Sequence, residues 1–258
     1  MLNSVLRSSK TRLAACFLIV LAVWWIASGR IFVEQIVPKP EDVAVVFVKL
    51  AANGKLFWHI FVSFKRILIG YAFGVAVGFS IGLLTGVYIL ARTMAYPFIE
   101  FFRSIPPVAL IPLVVSIFGI GEGGKYFIIA YAATFVMIIN TASGVASTPA
   151  IRVRAAQCLG ANSMAIMRWV VIPSAWPYVL TGLRLALGFS FMGVVAAEML
   201  GAQEGIGFLI MQSTNILDAK EMFVGFILLG TFGYLTDQLF RLAVSKRLRR
   251  YMMGIEAI

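Results

Sequence analysis

The chain has 258 residues, of which 61% are hydrophobic and 13% are charged, whereas soluble domains are about 45–50% apolar and about 25% charged. No water-soluble fold of this size can bury so much apolar surface, so the composition indicates an integral membrane protein. The net charge of +11 could suggest nucleic acid as a partner. However, Lys and Arg lie at the ends of apolar runs, where they contact headgroups and set topology. We therefore expect contact with membrane lipid and no binding of nucleic acid.

Apolar segments long enough, or nearly so, to cross about 30 Å of hydrocarbon occur six times. They predict an all-α membrane protein, a single transmembrane domain over residues 1–258. The first segment resembles a signal-peptide core, but Trp24 and Trp25 fit an interfacial aromatic belt better, so we expect an uncleaved helix. Prolines bound the third segment, which predicts an irregular helix packed among others. The predicted spans are 13–28, 67–90, 105–120, 126–144, 178–200 and 222–244.

The distribution of Lys and Arg favours one orientation of these spans. With both termini inside, 13 Lys and Arg residues are cytoplasmic and 8 are external. Arg92 and Arg103 belong to the cytoplasmic set, whereas Lys65 and Arg66 are counted outside, as side chains that snorkel from the second span. The sequence therefore predicts cytoplasmic termini and an external loop over residues 30–58, with a short amphipathic helix around 43–52.

Glycines recur every fourth residue along the second span. This spacing lines one helical face with small residues and lets another backbone approach closely. We interpret the face as a packing seam rather than a pathway. The residues are Gly70, Gly74, Gly78, Gly82 and Gly86.

Ionisable residues inside spans need a structural or functional reason. Arg184 can snorkel to the cytoplasmic side, and Asp237 can pair with Arg241 one turn later. For Glu198, structural bonding and a role in a translocation pathway are equally open. Position on the central spans suggests that pathway residues also include Asn140, Phe191 and Met192.

Catalytic and nucleotide-binding motifs are missing from the sequence. The run Gly119–Lys125 reads GxxxxGK, but Tyr126 replaces the Ser or Thr that a phosphate-binding loop needs for magnesium, and both neighbours are membrane spans. We interpret this run as a turn. The sequence also offers no nucleophile constellation and no metal-ligand cluster, so we expect a protein that is not an enzyme and carries no cofactor.

A polar, basic segment at 149–169 interrupts the apolar spans. Pro149 can open a helix, Gly160 can end it, and Asn162 can cap a second short helix. The result is a compact knob with a shallow face, suited to docking in a cleft of another protein. An amphipathic helix lying on anionic headgroups is the alternative. The predicted docking residues are Arg154, Ala155, Ala156, Leu159, Gly160 and Ala161.

This segment resembles the cytoplasmic signature of permease subunits in bacterial ATP-binding-cassette (ABC) importers, which reads EAA, three residues, Gly, nine residues, Ile-x-Leu-Pro. Arg154 departs from it, because the signature has Glu there. Further similarity, from about Pro38 to Arg250, is to the branch that imports nitrate, sulfonates, taurine and bicarbonate. The residues that carry the resemblance are Ala155, Ala156, Gly160, Val170, Ile172 and Pro173 in the segment, and 102–106, 110–113, 118–121, 140–141, 181–184, 197–198 and 205–207 elsewhere.

The resemblance implies a type I importer fold in the bacterial cytoplasmic (inner) membrane, with a second permease copy as partner. It also implies separate ATPase subunits that bind ATP and magnesium and dock at the coupling segment. A periplasmic or lipid-anchored binding protein would deliver a small, anionic solute for alternating access. The competing hypothesis is a self-contained secondary transporter or channel. Such a protein should contain an inverted repeat, which the sequence lacks. A membrane-embedded enzyme is disfavoured by the missing catalytic groups.

Overall fold

The computed structural model describes residues 9–199 and 201–248, with side chains over 15–199 and 201–244. Within these residues the regular elements are helices, apart from one isolated bridge between Ser28 and Phe32. The all-α prediction is confirmed. The helices are α1 (Ser9–Ala27), α2 (Pro40–Ala52), α3 (Lys55–Val87), α4 (Ile89–Arg103), α5 (Ile111–Phe118), α6 (Glu122–Ala146), α7 (Ala150–Cys158), α8 (Ser163–Ile166), α9 (Ile172–Glu198), α10 (Ile206–Asn215) and α11 (Ala219–Leu248).

Each predicted span has a helical counterpart, although the lengths differ. Among the described residues, α3, α6, α11 and the continuous helix Ser163–Glu198 are long and apolar enough to cross a membrane. Helix α4 and the segment Pro107–Phe118 meet that criterion only as a pair, bent by 90°, and the apolar part of α1, Ala15–Ala27, is shorter. The described residues thus contain four full spans, or five with the bent pair, and the number six stays a prediction.

The second and third spans differ most from their predicted limits. Helix α3 begins at Lys55 rather than at Ile67. Arg66 is paired with Glu122 and Glu198 inside the bundle, so the helix continues through this charged residue. The third span is preceded by α4, which the sequence reading missed, since its charged residues and Pro97 hide its apolar character. The predicted span 105–120 covers only the break after α4 and the short helix that follows.

The centre of the bundle is the contact between α3 and α6 along the five glycines. A Cβ atom at any of them would lie 2.5–2.7 Å from an atom of α6. Gly70 faces Ile129 at one end and Gly86 faces Val145 at the other, so the two helices run parallel. The predicted packing seam is confirmed, and it brings the two backbones closer than larger residues would allow.

Helix α9 packs against α6 in the opposite direction. Gly193 lies against Ile129, and Gly182 lies against Asn140. We call the end of the bundle that carries α7 and α8 the knob end, and the opposite end the far end. Because α3 ends at the knob end and α6 starts at the far end, α4 and α5 must carry the chain back between them.

A cluster of buried apolar residues at the far end of the bundle joins α2, the start of α3, α10 and α11. Helix α1 is attached beside it, because the Trp24 indole Nε1–H donates to the Pro38 carbonyl (3.0 Å) and its ring stacks on Phe223. The amphipathic helix predicted at 43–52 is therefore present as α2, and its apolar face is used. The buried residues of this cluster are Val43, Leu56, Ile206, Leu209, Ile210, Val224 and Leu228.

Candidate functional site

The segment predicted to dock on a partner, which we call the coupling knob after that prediction, spans residues 150–166 and consists of α7, a turn and α8. Helix α7 ends in a Schellman motif, in which the Gly160 N–H donates to the Gln157 carbonyl (2.9 Å) and the Ala161 N–H to the Ala156 carbonyl (3.0 Å). Gly160 has φ +76°, a conformation that favours glycine. The Asn162 side chain accepts the Ala165 N–H at 2.8 Å and caps α8. The predicted sequence of helix, glycine and capped helix is confirmed.

The face of the knob is open to solvent. Arg154, Ala155, Leu159 and Gly160 are exposed, whereas Ala156 and Ala161 are half-buried. Leu159 is 88% exposed, and Ile151 and Met164 expose more than two thirds of their surface. Apolar side chains grouped on an exposed surface are typical of an interaction site. The structure thus brings all six predicted docking residues together on one small element.

The knob is joined to a long span without a flexible linker. Helix α8 continues through a π-helical turn, Met167–Val171, into α9, and the combined helix Ser163–Glu198 has 36 residues. At 1.5 Å per residue it is about 54 Å long. A single continuous helix therefore connects the knob with the far end of the bundle.

At that far end, Glu198 belongs to a buried ion cluster. Its carboxylate accepts from Ser63 Oγ (2.8 and 2.9 Å), Arg66 Nη1 (2.9 Å) and the Gly207 N–H (2.9 Å). Arg66 also donates Nε and Nη2 to the two Glu122 carboxylate oxygens, at 2.8 and 2.6 Å. Arg66 is 4% exposed and Glu198 is 1% exposed. The cluster therefore ties α3, α6 and α9 to the start of α10.

The loop that precedes α10 is fitted to this cluster. Arg66 Nη1 donates to the Glu204 carbonyl (2.6 Å), and the Gly205 N–H donates to His59 Nδ1 (3.0 Å). Gly205 has φ +124°, and a Cβ there would lie 2.3 Å from the Glu198 carboxylate. Only glycine fits at this position. Lys125 Nζ, which belongs to the GxxxxGK run, donates to Glu122 (2.8 Å), so this lysine is engaged with the first turn of its own helix.

The predicted pathway residues do not share one environment. Glu198 lies in the closed ion cluster, and Phe191 is 9% exposed, with its ring edge-on to Phe64. Asn140 is half-buried and donates to the Val136 carbonyl (2.8 Å), whereas Met192 is 70% exposed. For Glu198, the geometry favours the structural role over the pathway role. The pathway assignment of all four residues stays a prediction.

Sequence reading missed Arg66 and Glu122 as partners of Glu198. The sequence predicts Arg66 at the membrane surface, because Lys65 and Arg66 stand together at the start of the most apolar run. One signal in the sequence could have indicated the cluster: a buried carboxylate such as that of Glu198 needs a cation beside it. Arg66, which follows Ser63 by one helical turn, is a candidate for that cation. Only the parallel packing of α3 and α6 brings Glu122 to the same place.

A second ion pair links α9 and α11 nearer the knob end. Asp237 accepts from Arg241 Nε at 3.0 Å, as predicted, but it also accepts two hydrogen bonds from Arg184, from Nε (2.5 Å) and Nη2 (3.0 Å). Arg184 therefore binds a neighbouring helix instead of snorkelling to the surface. A bidentate Arg–carboxylate pair fixes both side chains, so it sets the position of α11 against α9.

Together, these elements describe a multi-pass membrane protein: a helical bundle that is held together by buried ions at one end and presents an exposed knob at the other. A family model described as the binding-protein-dependent transport system inner membrane component matches residues 74–250. The chain belongs to this family. It is the permease subunit of an ABC importer, a class whose partners are an ATPase and a substrate-binding protein.

Individual relatives agree with this assignment. The chain is 37% identical to an ABC transporter permease protein of Brucella melitensis, over 84% of this chain and 87% of that protein. It is 31% identical to the taurine transport system permease protein of Escherichia coli, over 89% and 86% of the two chains. The MetNI methionine ABC transporter, in an inward-facing conformation, has the same fold, with a TM-score of 0.62, 23% identity and coverage of 73% and 92%.

Proposed function

We propose that this permease imports a small anion of the sulfonate type, and that ATPase subunits drive it by docking on the coupling knob. One observation carries the mechanism: Leu159 is 88% exposed on a knob that is continuous with the 36-residue helix ending at Glu198. Movement of a docked ATPase would tilt this helix and alternate the access of the pathway. The taurine transporter relative supports the substrate class.

The shape of α7 favours docking over the lipid-surface alternative. A helix that lies in the headgroup layer needs one apolar and one charged face. In α7, apolar residues lie on every side of the helix. Arg152 donates a hydrogen bond to Ser174 (3.2 Å), so it does not extend outward together with Arg154. Such a helix has no apolar face to insert, whereas a protein cleft can cover the exposed leucine and the shallow alanines.

The remaining parts of the proposal follow from the division of labour in an importer. ATP and magnesium bind on the ATPase, so this chain needs no cofactor and performs no hydrolysis. The knob faces the cytoplasm, which places both termini on that side of the inner membrane and the ion cluster outside, where a periplasmic or lipid-anchored protein delivers the solute. Two copies of the chain form a homodimer with the pathway between them, and lipid covers the remaining apolar faces.

The docking role predicts a specific loss in Leu159→Glu. A charged side chain at the centre of the contact should cost about 2 kcal/mol or more, which lowers ATPase binding at least thirtyfold. We expect loss of ATPase co-purification and of solute-stimulated ATP hydrolysis. The matched control is Leu217→Glu, because Leu217 is 87% exposed at the opposite end of the bundle; this variant should retain the ATPase.

Two outcomes would contradict the proposal. If Leu159→Glu and Leu217→Glu retain the ATPase equally well, the knob is not the docking site. If vesicles that contain this chain alone accumulate taurine without ATPase, a self-contained transporter is the better description.

A further inference from the structure

We propose that Arg103 is an anion-binding residue of the translocation path, with Glu100 as the residue that positions it. The inference rests on the proposed uptake of a small anion and assigns the group that would contact it. Arg103 is the last residue of α4, directly before the 90° break between α4 and the segment Pro107–Phe118. The sequence predicts this arginine on the cytoplasmic side, whereas the contact of α4 with α6 supports a position at the depth of the membrane.

The depth of Arg103 follows from its neighbour Phe102. The Tyr131 hydroxyl donates a hydrogen bond to the Phe102 carbonyl. Tyr131 is nine residues from the start of α6 and fifteen from its end, which is about 14 Å from the far end and about 22 Å from the knob end. The end of α4 therefore lies on the outside of the bundle beside the middle turns of α6, away from both ends of that helix.

Arg103 is also accessible at this depth. Its side chain is 44% exposed and that of Glu100 is 33% exposed. Charged side chains at the depth of the hydrocarbon do not face lipid; they face protein or a water-filled cavity. The seam between two copies of the permease is where such a cavity would form, and α4 has no buried residue within its own chain, so it is free to line that seam.

The ion pair itself contributes little to the fold. Arg103 Nε and Nη2 both donate to Glu100 Oε2, at 2.8 and 2.5 Å, three residues earlier on the same helix. Pairs at this spacing stabilise a helix only slightly, and this one joins no two elements. Arg184, by contrast, ties α9 to Asp237 on α11. Contacts with other helices therefore do not offset the free-energy cost of placing Arg103 and Glu100 inside the membrane.

The geometry of the pair suits a transient anion site. Both bonds to Glu100 use one edge of the guanidinium, and among the described residues no acceptor is recorded for Nη1. A sulfonate or another oxyanion can bind that free edge through charge-assisted hydrogen bonds. When the site is empty, Glu100 neutralises the cation, and when it is filled, Glu100 competes with the anion. The site therefore binds weakly enough to release its solute.

The test uses the complete importer, with ATPase and binding protein, in proteoliposomes and with radiolabelled taurine as the probe. Arg103→Gln should lower the uptake rate about 10- to 100-fold, because it removes a charged hydrogen-bond donor. Arg103→Lys should keep an intermediate rate, since it retains the charge but loses the planar fork. Glu100→Gln should transport within about threefold of the unmodified rate. Arg241→Gln is the matched control, because the Arg241–Asp237 pair is also intrahelical. It should behave as the unmodified protein, since Asp237 keeps its two hydrogen bonds from Arg184.

Three outcomes would overturn the inference. Equal losses in Arg103→Gln and Glu100→Gln would show that the pair is structural, and unchanged uptake in Arg103→Gln would overturn the assignment. Loss of the second copy or of the ATPase from purified Arg103→Gln would make Arg103 a subunit contact and would also overturn it. If the unmodified importer takes up no taurine, the proposed substrate class fails instead, which is a separate result.

Discussion

Replacing Arg66 with methionine is expected to lower the free energy of unfolding by about 3–5 kcal/mol, the cost of leaving a buried charge without its partner. Arg66 is the only cation that contacts Glu198 among the described residues, and both side chains are almost completely buried. The change should appear as a large fall in the thermal unfolding temperature of the purified protein in detergent. It should also free the loop before α10, which Arg66 holds through the Glu204 carbonyl.

A double variant separates the ion pair from general damage. In Arg66→Met/Glu198→Gln both charges are removed, so the loss should be smaller than the sum of the two single losses. Lys39→Met is the control, because Lys39 and Glu34 form a partly exposed pair at 2.9 Å and exposed pairs contribute little to stability. If Arg66→Met unfolds at the same temperature as Lys39→Met, the ion cluster does not hold the bundle together.

The second large effect is expected at the glycine seam. In Gly74→Ala, the new Cβ would lie 2.5 Å from the Ala130 carbonyl oxygen. Because the obstacle is backbone, no side-chain rotation can relieve the clash and the two helices must separate. Overpacking of this kind costs about 1–3 kcal/mol, and we expect the upper part of that range. The measurement is thermal unfolding in detergent.

Gly233→Ala is the matched control for the seam, because nothing lies within 4 Å of a Cβ at that position of α11. There the higher helix propensity of alanine should leave stability unchanged or raise it by up to about 1 kcal/mol. Equal stability of Gly74→Ala and Gly233→Ala would contradict the close approach of α3 and α6.

The sequence predicted those features that depend on local pattern. The five glycines recur at the helical period, so one face had to be small, and the seam could be predicted without knowing its partner. Pro149, Gly160 and Asn162 have backbone preferences and capping roles that determine the coupling knob locally. Asp237 and Arg241 are one turn apart, and their pairing needs only a helix.

Features that depend on how helices meet were not predictable in the same way. Arg66 and Glu198 are 132 residues apart, and neither pattern nor spacing shows that α3 and α9 lie side by side. The same holds for Arg184, which pairs with a different helix. Helix α4 was not predictable because Pro97 and three charged residues make it resemble a loop, although it packs on the outside of the bundle and its end contacts Tyr131 of α6.

By itself, the sequence determined a multi-pass helical membrane protein with a docking segment and a glycine seam, because composition, helical period and turn residues act over short distances. Only the tertiary structure decided which charges are buried together, where the third span breaks and which of the proposed pathway residues are accessible. A charge in a membrane bundle is stable only beside its partner or beside water, and that surrounding is supplied by helices far apart in the chain.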